Sequence, residues 1–239
     1  MYSILVCHII STFAETKFTD TEIKMKKLVI FDLDGTLLNT IADLAAATNQ
    51  ALAQCGYPTH STEAYNFFVG NGINKLFERA LPEGERTEAN ILRIRSLFVP
   101  YYDKHNADLS RPYPGMKELL HTLQEKGLKL AVASNKYQAA TEKLVAYFFD
   151  GIDFISVLGQ REGIPTKPDA GIVNEIVAKA GVTKEEVLYV GDSGVDMQTA
   201  KNAEVTAAGV TWGFRPRTEL EALHPQHIVS KAEEILTLL

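Results

Sequence analysis

Cysteine is scarce in this chain, which has only two among its 239 residues. Cys7 and Cys55 form no CxxC pair and no Cys/His metal-ligand spacing, and the six histidines show no paired spacing either. These absences exclude a disulfide framework and argue against a zinc site. Such sparing use of cysteine favours a reducing compartment, and we expect the protein to be cytoplasmic.

The chain also lacks an excess of positive charge and a long apolar run. Its 24 Lys and Arg residues against 30 Asp and Glu residues give a net charge of −6, and no basic stripe stands out. We therefore expect neither a nucleic-acid partner nor an anionic-membrane partner. The apolar run at residues 2–10 is too short to span a bilayer, and no basic region precedes it.

Residues 1–24 have the character of an extension. Residues 16–24 are polar and have no clear period, whereas Met25 and the two lysines after it open the first apolar strand as a natural start would. We expect either that Met25 is the true initiator or that residues 1–24 form a loose extension of the fold.

The remainder divides into a helical part and an alternating part. Hydrophobic residues make up 46% and charged residues 23% of the chain, which is typical of a soluble globular protein. Residues 41–108 show helical spacing and no buried strand. From Met116 onward helices alternate with apolar strands, which predicts a doubly wound parallel α/β sheet with helices on both faces. The predicted strands are residues 28–31, 128–133, 154–158, 187–190 and, as the last one, 205–210.

This pattern predicts three segments. Residues 1–24 are the extension, residues 25–40 and 109–239 form the α/β core, and residues 41–108 form an inserted all-helical domain with its own small core. We find no internal repeat and no low-complexity segment.

Two carboxylates follow the first predicted strand. Side chains alternate along a strand, so Asp32 and Asp34 point to the same side, and Gly35 marks the turn after them. Two close carboxylates resist ionisation unless a cation or a proton relieves them. For this motif alone, a strand that simply ends in Asp-Gly explains the sequence better than a functional site does.

Two further motifs follow later strands. Ser134 and Asn135 come directly after the strand predicted at 128–133, where they would form an anion cradle or serve as an ordinary helix N-cap. Lys167 stands in a loop that Pro165 and Pro168 bracket. The bracketing favours a fixed ammonium near a phosphate about as much as an ordinary solvent-facing lysine.

The fourth motif again places aspartates at the end of an apolar strand. Asp192 follows Gly191 directly, and Asp196 comes four residues later at a helix start, where acidic residues are common anyway. With Asp32 and Asp34, these carboxylates are expected to meet at one edge of the sheet. Oxygen-only ligands of this kind suit Mg²⁺ rather than zinc, and Lys167 would supply further positive charge.

Taken together, the four motifs resemble the haloacid dehalogenase superfamily in its phosphatase branch. The family pattern D-x-D-x-T stands at residues 32–36, and the other motifs stand at residues 134–135, 167 and 191–196. The resemblance covers residues 27–239 and implies a Rossmann-type core that carries a helical cap of the first type.

The resemblance implies a chemical role for each carboxylate. Asp32 would be the nucleophile and would form an aspartyl-phosphate, while Asp34 would protonate the leaving oxygen and then activate water. The side chains of Asp32 and Asp192 and the backbone carbonyl of Asp34 would hold Mg²⁺. Asp196 would orient the metal's waters or Lys167, and Thr36 would contact the site residues without touching the metal or the substrate.

The resemblance also implies the substrate contacts. Ser134, Asn135 and Lys167 would bind the phosphoryl oxygens. Residues 69–73, 77–81 and 210–215 resemble the corresponding stretches of phosphoglycolate phosphatases, which would make Gly70, Asn71, Gly72 and Arg79 cap contacts to a small carboxylate. A Gly-Asn-Gly turn without a ligand and a solvated surface arginine are the plainer interpretations of these four residues.

The leading hypothesis is a Mg²⁺-dependent phosphatase that converts 2-phosphoglycolate to glycolate and phosphate. The alternatives within the superfamily are a pyrophosphatase and a sugar-phosphate phosphatase or mutase. A catalytically silent binding module would be expected to lack Asp32, Asp34 or Asp192, and all three are present. The partner is expected to be a small phosphorylated metabolite, and the sequence leaves monomer and homodimer open.

Overall fold

A central six-stranded sheet organises the protein, and the computed structural model describes residues 25–239. The expectations for residues 1–24, including Cys7, lie outside the described residues. In chain order the strands are β1 (Leu28–Phe31), β2 (Leu38–Asn39), β3 (Arg111–Pro112), β4 (Lys129–Tyr137), β5 (Phe154–Gln160), β6 (Val187–Gly191), β7 (Thr206–Val210) and β8 (His227–Val229).

The sheet has the order β5-β4-β1-β6-β7-β8, and every neighbouring pair within it is parallel. Parallel neighbours require crossover connections, which helices supply on both faces. The helices are α1 (Ile41–Gln54), α2 (Tyr65–Phe68), α3 (Ile73–Ala80), α4 (Glu88–His105), α5 (Met116–Glu125), α6 (Gln138–Phe148), α7 (Gly171–Ala180), α8 (Gly194–Ala203) and α9 (Arg217–Glu221).

Strand β1 is fully buried, and its side chains pack on both faces of the sheet. Val29 and Phe31 pack into the apolar cluster that includes α5 and α6, whereas Leu28 and Ile30 pack into the cluster that includes α7 and α8. This alternation follows from the period of two along a strand. The predicted doubly wound α/β fold is confirmed, and it places the end of β1 at the centre of the sheet.

The sequence missed one strand of the sheet and the end of another. The strand at 205–210 is not the last, because β8 pairs with β7 beyond it. Strand β4 continues to Tyr137 with an irregular register, so Ser134 and Asn135 lie inside the strand and not at the start of α6. Strand β8 has only three residues, and the end of β4 is polar. Both extend the sheet by pairing with a neighbouring strand, and a local apolar pattern does not reveal such pairing.

Helices α1 to α4 lie between β2 and β3 as a helical insertion, and their apolar side chains pack in one cluster that Ala140 of α6 joins. The chain enters the insertion after β2 and leaves it before β3, and these two short strands pair antiparallel. Between residues 25 and 239, no helix is both long enough and apolar enough to cross a membrane.

A buried carboxylate fastens the two ends of the insertion to each other. Asp43, near the start of α1, accepts hydrogen bonds from the backbone N–H groups of Leu109 and Ser110 and from the Ser110 hydroxyl, at 2.7–3.1 Å. Its side chain is almost fully buried, so the carboxylate depends on these donors to replace water.

We expect Asp43→Ala to lower the free energy of unfolding by about 3 kcal/mol, because it leaves the buried backbone N–H and hydroxyl of Ser110 and the backbone N–H of Leu109 without an acceptor. Urea unfolding followed by circular dichroism measures the change. Asp153→Ala, at an exposed aspartate, is the matched control and should stay within about 0.5 kcal/mol of the wild type. Equal stability of the two variants would show that this junction does not depend on Asp43.

Candidate active site

The amino group of Lys167 lies at the centre of the site. It donates hydrogen bonds to Asp32 Oδ1 and Asp196 Oδ1, both at 2.7 Å, and to the carbonyl of Ala133 at 2.9 Å. The hydroxyl of Tyr189 is a further neighbour at 3.1 Å. A single buried ammonium thus joins carboxylates that follow β1 and β6, as the sequence predicted for the edge of the sheet.

The buried carboxylates shift the acidity of their neighbours. Burial raises the pKa of Asp32 to about 7, against the opposing pull of Lys167. Burial, followed by repulsion from Asp196 and Asp32, raises the pKa of Asp192 well above its usual value. Burial opposes the charge of Lys167, but Asp196 and Asp32 outweigh it and raise the pKa of the ammonium. The site therefore holds more negative charge than Lys167 alone can balance.

The carboxylate of Asp192 lies against the backbone of two loops. Its Oδ2 accepts a hydrogen bond from the Phe214 N–H at 2.7 Å. A Cβ atom on Gly35 or Gly213 would overlap this carboxylate, and Gly35 also has a φ of +95°, which favours glycine. The two glycines thus let the backbone close around Asp192.

Asp196 is held in place at the start of α8. Its Oδ2 accepts hydrogen bonds from the N–H and the hydroxyl of Ser193, which in turn caps the helix. Its Oδ1 binds Lys167 and the Tyr189 hydroxyl. Both oxygens of Asp196 are therefore engaged by the protein, although oxygens of Asp32, Asp192 and Asp196 lie within 4.8 Å of one another.

Asp34 has a different set of partners. Its Oδ1 accepts a hydrogen bond from the Thr40 hydroxyl at 2.6 Å, and its Oδ2 accepts one from Lys136 Nζ at 3.0 Å. The ring of Tyr102, on α4 of the insertion, lies on the other side of Lys136 with its centroid 4.9 Å from Nζ. Asp34 is thus linked to the insertion through one lysine.

The two residues of the second motif are used differently. The Asn135 amide donates to the carbonyls of Lys167 and Gly70, both at 3.0 Å, and its oxygen accepts from the Lys167 N–H at 2.9 Å. Its side chain is therefore fully engaged by the protein. The Ser134 hydroxyl accepts from the Lys136 N–H at 3.2 Å, which leaves its own hydrogen available.

The structure separates the four predicted cap contacts into two pairs. Gly70 and Gly72 line the cavity above the carboxylates. Asn71 and Arg79 do not belong to its lining. The guanidinium of Arg79 donates to Asn71 Oδ1 at 2.7 Å and to the carbonyl of Phe68 at 2.9 Å. Arg79 thus braces the loop that carries the glycines.

Thr36 is fully buried, and its carbonyl accepts a hydrogen bond from Trp212 Nε1 at 3.1 Å. Its hydroxyl has no hydrogen-bond partner among residues 25–239.

A small cavity connects these groups. It is bounded by the sheet edge below and by the insertion above, where Leu44, Ile73 and Leu76 give it an apolar roof. The space open to the centre of a water molecule is about 40 Å³, which is room for about three waters. A ligand that reacts in this arrangement must be small and must contact charged groups on one side only.

Several contributors to the site were not predicted from the sequence. Lys136 stands two residues after Ser134 on the same strand. Because side chains alternate along a strand, this spacing was a signal that could have identified Lys136. Arg215 lines the cavity and donates to the carbonyl of Val69 at 2.9 Å. Thr40 carried no signal, because its partnership with Asp34 depends on a turn of the chain.

Comparison with known proteins agrees with the geometry. Residues 29–210 match the family described as haloacid dehalogenase-like hydrolase. A phosphoglycolate phosphatase from Vibrio parahaemolyticus is 34% identical over 215 residues, covering 88% of this chain and 94% of the relative. One from Haemophilus influenzae is also 34% identical, covering 89% of this chain and 98% of the relative.

The fold has solved counterparts as well. The crystal structure of a predicted phosphoglycolate phosphatase from Haemophilus somnus superimposes with a TM-score of 0.83 at 31% identity. The alignment covers 90% of this chain and 99% of that one. With the family match, the full-length relatives and this shared fold, the chain belongs to the haloacid dehalogenase-like hydrolases and is similar to their phosphoglycolate phosphatases.

Proposed function

We propose that the protein is a Mg²⁺-dependent phosphatase that hydrolyses 2-phosphoglycolate to glycolate and phosphate. The observation that carries the proposal is the different environment of two carboxylates on one cavity. Asp32 has one oxygen on Lys167, and its Oδ2 accepts no hydrogen bond from the described residues. Asp34 has both oxygens on hydrogen-bond donors, Thr40 and Lys136. A nucleophile needs an oxygen without hydrogen-bond donors, as on Asp32. An acid-base group needs hydrogen-bond partners that can exchange, as on Asp34.

The proposed reaction has two displacements. Asp32 Oδ2 attacks phosphorus, the bond to the ester oxygen breaks, and Asp34 donates a proton to that oxygen as it leaves. A water then attacks the aspartyl-phosphate while Asp34 accepts its proton, which releases phosphate and restores Asp32. Two smaller barriers replace one large barrier, because each step has a positioned nucleophile.

The phosphoryl group needs donors that are not already engaged. We assign Ser134 as a direct ligand, because its hydroxyl hydrogen is available and the residue lines the cavity. The ammonium of Lys167 is surrounded by protein acceptors, so its proposed role is to balance the charge of Asp32. Asn135 fixes the backbone of Lys167 and is assigned a positioning role.

The residues present fit a magnesium ion. Buried carboxylates with raised pKa values call for a cation, and carboxylate and carbonyl oxygens are the ligands that Mg²⁺ prefers. Asp32, Asp192 and the backbone carbonyl of Asp34 would hold it, because both oxygens of Asp196 are engaged elsewhere. When bound, Mg²⁺ neutralises charge on the transferring phosphoryl group.

The proposed substrate rests on size and on relatives. With the insertion seated on the sheet, the cavity admits only a small ligand. We infer that residues 41–108 act as a cap, with Gly70 and Gly72 closest to the substrate and Asn71 and Arg79 holding their loop. The curated relatives at 34% identity are phosphoglycolate phosphatases, and we extend their substrate to this chain.

A substrate panel tests the proposed activity. Phosphate release is measured with and without Mg²⁺ on 2-phosphoglycolate, pyrophosphate, several sugar phosphates and p-nitrophenyl phosphate. We expect Mg²⁺-dependent release with the highest kcat/KM on 2-phosphoglycolate, because the small cavity favours compact esters. Comparable kcat/KM values across the panel would retain the phosphatase and contradict this substrate. Phosphate exchange between sugar-phosphate isomers without release would indicate a mutase.

Asp32→Asn should lower kcat by at least about 10³-fold, because it removes the nucleophile and leaves the fold intact. Intact-mass spectrometry after an acid quench should detect one phosphoryl adduct on the wild type and none on the variant. Asp153→Asn, at an exposed aspartate, is the matched control and should keep both kcat and the adduct. An adduct of unchanged yield on Asp32→Asn would place the nucleophile elsewhere.

Mg²⁺ should stabilise the protein more at pH 8 than at pH 5.5. The pKa of Asp32 is about 7 without metal, so the folded protein favours the protonated carboxyl and its stability falls as the pH rises through 7. A bound cation reverses this loss at pH 8. At 100 times Kd, the melting temperature at pH 8 should rise by about 5–10 °C.

At pH 5.5 a proton must leave Asp32 before Mg²⁺ binds. This weakens the apparent affinity for Mg²⁺ roughly 30-fold and reduces the rise in melting temperature. Differential scanning fluorimetry at several Mg²⁺ concentrations measures both shifts. Asp192→Asn should show little shift at either pH. Equal wild-type shifts at pH 8 and pH 5.5 would contradict the assignment of Asp32 as a ligand.

A further inference from the structure

Lys136 is a buried cation to which the proposed mechanism assigns no contact with the substrate. Its side chain is 2% exposed, the residue lines the cavity, and its amino group contacts Asp34 Oδ2 and the ring of Tyr102. Burying an ammonium is costly unless its charge and its hydrogens find partners. A lysine at this position therefore requires an explanation beyond packing.

The hydrogens of Lys136 are only partly satisfied. An ammonium has three N–H donors, and among the described residues Asp34 Oδ2 is the single hydrogen-bond acceptor of Lys136 Nζ. The Tyr102 ring contributes a weaker cation–π contact. Lys167, in contrast, has four acceptors around its amino group. Lys136 thus keeps donor capacity at the wall of the substrate cavity.

Asp34 can release Lys136 without losing its own position. The Thr40 hydroxyl holds the other oxygen of Asp34 at 2.6 Å, so the carboxyl stays anchored when the ammonium turns away. Arg215, the other cation that lines the cavity beside Lys167, is tied to the carbonyl of Val69 and lies 3.8 Å from Glu219. Lys136 is therefore the cavity-lining cation that stands beside Asp34 and can turn from it to an anionic substrate group.

The chemistry of the substrate places such a group beside Asp34. Asp34 is proposed to protonate the ester oxygen, and in 2-phosphoglycolate the carboxylate carbon is two bonds from that oxygen. We propose that Lys136 binds the substrate carboxylate and exchanges Asp34 for it, which makes Lys136 the residue that selects a carboxylate-bearing phosphomonoester. This inference rests on the proposed phosphatase activity and names the specificity residue within it.

The test compares two alkyl esters that need the same protonation of the leaving oxygen. The kcat/KM for 2-phosphoglycolate is divided by that for ethyl phosphate, which lacks the carboxylate. A variant that damages folding or Asp34 itself lowers kcat/KM for both esters, so the ratio reports the contact with the carboxylate. We expect Lys136→Met to lower the ratio by roughly 30-fold or more, since a buried charge loses its partner.

Two further variants control for charge and for folding. Lys136→Arg keeps a cation and should retain most of the ratio, and Lys136→Gln replaces the methionine variant if that protein does not fold. Lys143→Met is the matched control, because Lys143 also contacts the insertion, through the carbonyl of Asp103, but lies outside the cavity lining. Its ratio should equal that of the wild type.

The outcomes separate this inference from the activity on which it rests. An unchanged ratio in Lys136→Met, with wild-type release from 2-phosphoglycolate intact, would overturn the role of Lys136 and keep the phosphatase. A wild type that prefers pyrophosphate to both esters would place a second phosphoryl group at Lys136 and overturn the carboxylate assignment. A wild type that hydrolyses none of these compounds would remove the proposed function itself, and the inference with it.

Discussion

Repulsion among four carboxylates at one edge of the sheet is the constraint on which the rest of the site depends. Strands β1 and β6 are parallel neighbours in register, so the aspartates that follow them must meet. Lys167 joins Asp32 to Asp196, and Lys136 pairs with Asp34. Two buried lysines still leave an excess of negative charge, which a divalent cation would balance in the proposed enzyme.

The sequence predicted the elements of the site because they depend on local patterns. Apolar strands that end in aspartate are visible in the chain, and the order of parallel strands brings their ends together. The partners of Asn135 and Arg79 were not predictable, because most of them are backbone groups of loops distant in sequence. Strand β8 was missed since three residues are too few to show a period.

Several hydrogen bonds between insertion and core run from core side chains to carbonyls of the insertion. Asn135 reaches the carbonyl of Gly70, and Arg215 reaches that of Val69. Because Asn135 also binds the backbone of Lys167, the same amide that seats the insertion fixes the central ammonium. Closure of the proposed cap and alignment of the charged groups therefore share one side chain.

The close approach of Gly35 and Gly213 to Asp192 has a consequence for how such sequences diverge. A side chain at either glycine overlaps the carboxylate, so these positions tolerate larger residues only after Asp192 has become smaller or moved. A descendant that gave up the proposed metal would lose the part of this restriction that Asp192 imposes, while the positive φ of Gly35 and the Gly35 carbonyl beside Gly213 would remain. Bulky residues at the two glycine positions would then mark an abandoned site, even in a chain that still carried an intact Asp32.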